Sequence, residues 1–577
     1  MSRASATHYD DNGRDLIQRA PSGYLWNQLY SLWLLLSLFV FQLVITRLLP
    51  VDEKGVYELI LTPANVALYV AALGLESAAS VYLPRTLVDG GAVEAAAVAL
   101  RLLLVRVFAV LVVAAAIIWG LPALAQLLAA TGWLPLSGVA HELASPPLTA
   151  HGSVMALYVV LTGLANLLGA LLTALMRTRL VFVLGGVAQL ATIGLAYLFV
   201  GPWQGGAGGA LLALSLPAVG LVVGYTLGLA RALGVTSAPI APHIVRRMLS
   251  FGLTVWLADL ANGSLIKLLA VYQLGLVVAH AGIAFFGIAY EMGHAASFLL
   301  VAGLGGVGLA VLAAAYAGEH LESLAVAWRS VAKVQVALAV PLVAFCVPHA
   351  GAIVRILYGT PYAAVGPLLA LFLVLNGIVR LCGGGASEAA LYVLGRQRWV
   401  VAGRWASLAL LGIGDALLIP RLGVAGALLA VGLAQVGAEL FELTLARHWL
   451  ARAYPAAFML KVLVAAAPGL VLTSVWRPVS LAGLVASGAA FALLYLICLR
   501  LVAPLDSEDQ MLLAQTSGPL RVLLRLLVTR NRHSLDAASA SHERPAVGPD
   551  AETPWSVETP RSLTALQGPA TGTPDEA

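Results

Sequence analysis

The chain has 577 residues, of which 60% are hydrophobic and only 11% are charged, and its mean hydropathy is +0.91. Soluble domains contain roughly 25% charged residues, so this composition excludes an ordinary soluble domain and predicts an all-α, polytopic membrane protein. The net charge of +5 does not indicate nucleic-acid binding, because the positions of the basic residues explain it. The three cysteines follow no metal-binding or redox spacing, and we expect no metal site and no cofactor.

Fourteen apolar stretches follow one another along the chain, each close to the ~20 residues that a tilted membrane helix needs. In the last segment a basic amphipathic stretch, Ser517–Arg530, precedes a Ser-, Ala-, Pro- and Thr-rich tail that we expect to be disordered. The predicted organisation is a cytoplasmic N-terminal tail (1–22), a first six-helix lobe (23–236), a second six-helix lobe (237–454), two further helices (455–503) and the C-terminal segment (504–577).

Basic residues are distributed unevenly between the loops that connect the predicted spans. When alternate loops are taken as cytoplasmic, sixteen Lys and Arg residues fall in inner loops and five in outer loops. Cytoplasmic loops carry an excess of Lys and Arg, so this asymmetry predicts an inner-membrane protein with both termini in the cytoplasm. The inner residues are Arg85, Arg101, Arg106, Arg177, Arg179, Arg231, Arg246, Arg247, Arg329, Lys333, Arg396, Arg398, Arg404, Arg447, Arg452 and Lys461, and the outer ones are Arg47, Lys54, Arg355, Arg421 and Arg477.

The seventh predicted span, Phe251–Tyr272, carries Asp259, Asn262 and Lys267 within an otherwise apolar run. This spacing places the three residues near one helical face. A charge in hydrocarbon costs at least ~2.5 kcal/mol, so such residues usually face a protein interior or a wet cavity. The run therefore predicts a cavity-lining helix that meets an anionic cargo. The alternative is that these charges only join helices to one another.

Other ionisable residues also fall within predicted spans. Glu291 and His294 lie on one face of the eighth span, and Arg380 lies in the tenth, just before a Gly-Gly-Gly sequence. A cavity role is expected for these three, since they lie deep in their spans. For Asp415, Glu439 and Glu442 we favour helix pairing or contact with the membrane interface.

A weak internal repeat relates the two predicted lobes. The sequence MRTRLVFVLGG, followed by GAGGALLAL from Gly206, corresponds to GRQRWVVAGRW, followed by GVAGALLAV from Gly423. The two offsets are 219 and 217 residues, and corresponding spans run in the same direction. Transporters with parallel repeats bind their substrates between the halves. No ATP-binding G-x-x-x-x-G-K-[ST] motif, H-E-x-x-H or G-x-S-x-G occurs, so a secondary-type transporter without catalytic residues is favoured over an enzyme.

Several segments are similar to those of one transporter family. ITRLLPVDEKGVYELI (Ile45–Ile60), LYGTPYAAVGPLL (Leu357–Leu369), LYVLGRQRW (Leu391–Trp399) and PRLGVAGALLA (Pro420–Ala430) resemble, in their order and spacing, segments of the Wzx-type O-antigen and oligosaccharide flippases of the MOP superfamily. That superfamily also contains MATE exporters and the lipid II flippase. The resemblance extends over about residues 23–502, and it departs from the family's usual Gly-Pro-Glu turn at residues 50–53.

The resemblance implies two six-helix lobes, two extra C-terminal helices and a cargo of undecaprenyl-diphosphate-linked oligosaccharide, moved across the cytoplasmic membrane by alternating access. The implied partners are this lipid-linked oligosaccharide, the bilayer, and a polysaccharide polymerase and glycosyltransferases of surface-polysaccharide synthesis, but no nucleic acid. The substrate-binding candidates are Lys267, Arg380 and Asn262, and the candidates for ion coupling or for holding Lys267 are Asp259, Glu291 and His294.

Three alternatives remain open at this point. A lipid II flippase is close in kind, whereas a MATE-type cation-coupled drug exporter would need an acidic, aromatic cavity with few cations. A membrane glycosyl-polymerase or ligase should have a large outer loop, and the predicted outer loops are short. Lys267 is expected to meet either the anionic cargo or an acid from another span such as Glu291.

Overall fold

The structure is a computed structural model, and it describes residue 26 and residues 29–130, 145–234, 242–262, 264–298, 312, 315–316, 320–476 and 478–502. Most of these residues lie in helices, and no β-strand occurs among them. The predicted N-terminal tail, the amphipathic stretch Ser517–Arg530 and the C-terminal tail lie outside the described residues.

Divided in chain order at the boundaries predicted from the sequence, the described helices form a first half, a second half and a C-terminal pair. The first half contains α1 (Leu29–Leu48), α2 (Val51–Ala72), α3 (Leu75–Ala115), α4 (Leu121–Ala130), α5 (Pro146–Ala174), α6 (Thr178–Val200) and α7 (Gly206–Leu233). The second half contains α8 (Pro242–Asn262), α9 (Ser264–Gly275), α10 (His280–Phe298), α11 (Leu321–Tyr358), α12 (Val365–Leu381), α13 (Ala386–Val393), α14 (Gln397–Leu422) and α15 (Val424–Leu450). The C-terminal pair is α16 (Ala456–Val475) and α17 (Leu481–Val502), which pack against α11.

Within the described part of the chain, twelve helices are long and apolar enough to cross a membrane. The seventh predicted span is covered by α8 and α9, which lie on either side of Gly263, and the eighth is covered by α10. Each of the fourteen predicted spans therefore has a helical counterpart, and the chain is a multi-pass membrane protein. The long apolar stretches explain this architecture, because backbone N–H and C=O groups in lipid must be satisfied within the helix.

The third predicted span is placed differently in the structure. Instead of Val107–Leu128, the apolar helical stretch is Gly91–Gly120, after a kink at Gly91 in α3 where φ is +77°. This shift places Arg106 inside a helix, where it is buried. Three other basic residues that hydropathy assigned to loops are also buried in helices: Lys54, Lys333 and Arg404. Lys54 was counted in an outer loop, whereas Arg106, Lys333 and Arg404 were counted in inner loops. Without these four residues, the inner loops hold thirteen Lys and Arg residues and the outer loops hold four. The asymmetry keeps its direction, and the orientation with both termini in the cytoplasm stays a prediction.

The sequence repeat has a matching backbone geometry in the two halves. The backbone N–H of Arg177, before α6, and that of Arg396, before α14, each donates to the carbonyl five residues earlier, at 2.9 and 2.8 Å. Gly206 opens α7 and Gly423 immediately precedes α15, and both have φ of +55°. Two turns at equivalent places thus have equivalent conformations, as a parallel repeat requires.

The two halves touch through α2 and α3. Gly55 of α2 lies against the backbone carbonyl of His280 at the start of α10, and Gly74 lies against the backbone of Gly252 in α8. Leu59 of α2 is fully buried within the hydrophobic core of the second half. Only glycine permits two backbones to approach this closely, so these residues set the distance between the halves.

The end of α1 also contacts the second half. The Arg47 guanidinium donates to the carbonyl oxygens of Ile356 and Leu357, at 2.7 and 2.6 Å, in the last turn of α11. The carbonyl groups at a helix C-terminus lack intrahelical donors and attract cations. Arg47 therefore satisfies two acceptors of α11 from the other half of the molecule.

Candidate functional site

A cavity of about 960 Å³ lies between helices of the first half and reaches α8, α9 and α10 of the second half. Its charged lining residues are Glu76, Arg106, Lys267 and Glu291, so two cations are matched by two carboxylates. Its aromatic lining residues are Tyr30, Tyr69, Tyr158, Tyr225, Trp256 and Tyr290. A concave site with aromatic walls and a few polar groups is typical of small-molecule binding.

Lys267 of α9 joins three helices at one end of this cavity. Its Nζ lies 3.0 Å from a carboxylate oxygen of Glu58 in α2 and 2.5 Å from one of Glu291 in α10. The Glu58 side chain is completely buried, whereas 43% of the Glu291 side chain is exposed. The ammonium also lies over the Tyr290 ring, 5.7 Å from its centroid. Lys267 is thus neutralised by acids from other helices.

A second lysine lies behind this group. Lys54 of α2 is 1% exposed, and its Nζ donates to the second carboxylate oxygen of Glu58 at 2.6 Å and to Gln42 at 3.0 Å. Its ammonium also lies 4.5 Å from the Tyr57 ring centroid. Glu58 therefore bridges two lysines, one from its own helix and one from the other half. Buried charges are tolerated when they are paired in this way.

The second cavity cation, Arg106, is held within the first half. Its Nε donates to the Gly163 carbonyl at 2.9 Å, and its Nη2 donates to Glu76 at 2.7 Å. The Arg106 side chain is 1% exposed and that of Glu76 is 29% exposed. Its Nη1 is buried and has no hydrogen-bond partner among the described residues. The Nη1 group of Arg106 is therefore a hydrogen-bond donor without an acceptor among the described residues.

The residues predicted from sequence are only partly brought together. Lys267 and Glu291 are in contact and both line the cavity. The His294 ring packs on Tyr290, with 4.4 Å between centroids, and lies outside the cavity lining. Arg380 is also outside that lining; it is buried near the end of α12 and donates to the Gly384 carbonyl at 3.3 Å.

Asp259 and Asn262 belong to the last turn of α8, but their side chains lie outside the described residues. The prediction that they share the polar face of Lys267 therefore stays a prediction.

A separate charged cluster lies within the second half. Arg404 of α14 pairs with Glu442 at 2.9 Å, Glu388 at 3.1 Å and Glu439 at 3.7 Å. Arg404, Glu439 and Glu442 are each less than a tenth exposed. This cluster joins α13, α14 and α15, which agrees with the helix-pairing role expected for Glu439 and Glu442. Asp415 differs, because it is completely buried and neither carboxylate oxygen has a partner among the described residues.

Sequence reasoning missed Lys54, Glu58 and Arg106 as members of the site. The spacing of Lys54 and Glu58 was an available signal, because residues four apart on a helix are neighbours and Glu58 lies within the second predicted span. Arg106 gave no such signal, since Glu76 and Gly163 are 30 and 57 residues away in sequence.

Comparisons with solved structures agree with this architecture. A multidrug-resistance MATE family transporter of the MOP superfamily, in an inward-facing conformation, matches with a TM-score of 0.60 and 17% identity over 73% of this chain and 94% of that one. The lipid II flippase MurJ, in an inward closed conformation, matches with a TM-score of 0.59 and 11% identity over 82% of this chain and 97% of that one. A MOP superfamily transporter from Pyrococcus furiosus matches with a TM-score of 0.52 and 17% identity over 74% of this chain and 95% of that one.

The chain therefore has the polytopic helical fold of MOP-superfamily transporters. No protein-family model and no curated protein sequence matches it.

Proposed function

We propose that the protein is a flippase that moves an undecaprenyl-diphosphate-linked oligosaccharide across the cytoplasmic membrane by alternating access. The observation that carries this proposal is the cavity, whose walls bring together Arg106 from the first half and Lys267 from the second. A diphosphate headgroup cannot cross hydrocarbon without a polar path that supplies cations. Two cations on different halves can hold the same headgroup while the halves move relative to each other.

Polar and aromatic wall residues support the glycan part of this proposal. Asn65 accepts a hydrogen bond from Tyr158 at 2.9 Å, and Asn166 and Thr162 line the cavity nearby. Sugar hydroxyl groups need donors and acceptors of this kind, and sugar rings pack on aromatic faces such as that of Trp256.

The C-terminal pair α16 and α17 also supports a flippase. Two helices beyond the twelve of two six-helix lobes agree with the sequence resemblance to flippases.

Because Lys267 already has two carboxylate partners, its substitution should affect folding as well as cargo binding. Lys267 pairs with Glu58 and Glu291, which come from two other helices. Lys267→Ala would leave the buried Glu58 with Lys54 alone, so we expect lower abundance of this variant as well as lost transport. Arg106→Gln is the better test, since Glu76 faces the cavity and can be hydrated there.

A second candidate function is export of lipophilic cations. The observation that favours it is that the carboxylates of the cavity are more exposed than its cations. The exposed fraction of the side chain is 43% for Glu291 and 29% for Glu76, whereas it is 11% for Lys267 and 1% for Arg106. Aromatic residues surround these carboxylates, and aromatic faces attract cations.

Proteoliposomes separate the two functions. With a fluorescent polyprenyl-diphosphate oligosaccharide as substrate, we expect Arg106→Gln to slow translocation at least about tenfold, which corresponds to ~1.4 kcal/mol of lost stabilisation. Arg101→Gln is the matched control, because Arg101 is on the same helix, exposed, and outside the cavity lining. Unchanged translocation by Arg106→Gln would refute the cargo contact of Arg106, and a wild-type protein that does not translocate the glycolipid would refute the flippase proposal. Transport of tetraphenylphosphonium without translocation of the glycolipid would establish the cation exporter instead.

A further inference from the structure

The two cavity cations are held in the same way, although they belong to different halves. Each has one partner that is fixed in the protein interior and one carboxylate partner that faces the cavity. For Lys267 the fixed partner is Glu58, which is completely buried, and the facing carboxylate is Glu291. For Arg106 the fixed partner is the Gly163 carbonyl, and the facing carboxylate is Glu76.

The difference in exposure decides which partner can leave. Glu58 cannot turn towards water without breaking its contacts with both Lys54 and Lys267 in a dry site. Glu291 and Glu76 are partly exposed to the cavity, so their carboxylates can be hydrated when they release their cations. Partly exposed ion pairs are weak, and exchange of one anion for another is correspondingly easy.

We propose that Glu76 and Glu291 are internal counter-anions, which occupy the anion-binding positions of the empty cavity and are displaced by the diphosphate of the cargo. This inference rests on the proposed flippase function and specifies how its site binds. A diphosphate has more charge and more acceptor oxygens than one carboxylate, so it can replace Glu291 on Lys267 and Glu76 on Arg106.

Counter-anion exchange has two consequences for transport. Lys267 and Arg106 remain neutralised after the cargo leaves, so the empty protein does not have to change conformation with unpaired charges in a low-dielectric interior. The returning carboxylates also compete with the cargo, which limits affinity and promotes release. The arrangement selects for a diphosphate over the corresponding alcohol, because an alcohol cannot neutralise the cations.

The test is equilibrium binding of farnesyl diphosphate to the purified full chain in nanodiscs, with farnesol as the ligand that lacks the anion. Removing a competing carboxylate should strengthen binding, so Glu291→Gln and Glu76→Gln should each bind farnesyl diphosphate about tenfold more tightly than wild type. Farnesol binding should not change. Glu94→Gln is the matched control, because Glu94 is an exposed carboxylate on α3 outside the cavity lining, and its removal should leave the affinity unchanged.

The outcomes separate this inference from the proposed function. Wild type that binds farnesyl diphosphate, with unchanged or weaker binding in both Gln variants, would overturn the counter-anion role and leave the flippase proposal intact. Wild type and variants that bind only tetraphenylphosphonium would overturn both. Should Glu291→Gln fold poorly, Glu291→Asp keeps the charge while shortening the side chain, and a smaller gain in affinity is expected. The absence of a gain in both Glu291→Asp and Glu76→Gln would then contradict the inference.

Discussion

The contact between Gly55 and His280 gives a quantitative test of how the two halves meet. A Cβ added to Gly55 would collide with the backbone carbonyl of His280 and lie 3.0 Å from its Cα. Both obstacles are backbone atoms, so no side chain can move aside. An ordinary contact of at least 3.4 Å is restored only if α2 and α10 separate by at least about 1.5 Å, and a gap of even about 1 Å forfeits up to half of the dispersion energy between the facing atoms.

The expected effect of Gly55→Ala is destabilisation. Overpacking of this kind typically costs about 1–3 kcal/mol, whereas replacing Gly by Ala within a helix gains about 0.5–1 kcal/mol. The net loss is therefore about 1–2 kcal/mol for the conformation described here. Separation of the helices should also lengthen the contact of Glu58 with Lys267, which joins the halves one turn further along α2.

The assay is thermal unfolding of the detergent-purified protein, followed by fluorescence-detected size exclusion. Gly152→Ala is the matched control, because Gly152 is also within a helix and an added Cβ there would meet nothing within 4 Å. We expect Gly55→Ala to unfold at a lower temperature than wild type and Gly152→Ala at the same or a higher temperature. Equal stability of the two variants would show that the close approach of α2 and α10 is not a feature of the folded protein.

Three further predictions concern other parts of the chain. Arg404→Ala should lower the free energy of unfolding by about 3–5 kcal/mol, because it leaves buried carboxylates without their cation. Arg452→Ala removes only a surface ion pair and should lower it by less than about 1 kcal/mol, so equal decreases in the two variants would contradict this difference. Gly206→Ala and Gly423→Ala should each cost about 1–2 kcal/mol, since both positions have φ of +55°, and a neutral effect at only one of them would contradict the repeat. Reporters fused to the two ends of the chain should both indicate the cytoplasm, and opposite sides would refute the orientation.

Much of the fold was predictable because membrane helices are encoded locally. Long apolar stretches give helices wherever they occur, and the repeat around Arg177 and Arg396 correctly indicated two equivalent turns. The third span was misplaced because a charged residue near an apolar stretch is usually at a helix end. Arg106 is an exception, since Glu76 and a backbone carbonyl satisfy it inside the protein.

The site was less predictable, because its charges are paired between distant helices. Spacing along one helix suggested a common face for Lys267 and its neighbours but contained nothing about Glu58, which contacts Lys267 from 209 residues away. Arg380 and His294 were expected in a cavity from their depth in their spans; they are not among the lining residues of the cavity described above, and their role stays a prediction. Depth in the membrane can be read from sequence, whereas the direction in which a residue faces depends on how the helices pack.

The pairing of Lys54 with Glu58 also has a consequence for the insertion of α2 into the membrane during synthesis. The two residues are one turn apart on α2, so they can neutralise each other as soon as that helix forms. Lys267 and Glu291 are synthesised some two hundred residues later, when α9 and α10 emerge. During the interval the Lys54–Glu58 pair can enter the bilayer without net charge, while Asp52 and Glu53 lie in the first turn of α2. The later arrival of Lys267 then gives the same carboxylate a second partner, and a contact made within one helix becomes part of the junction between the two halves.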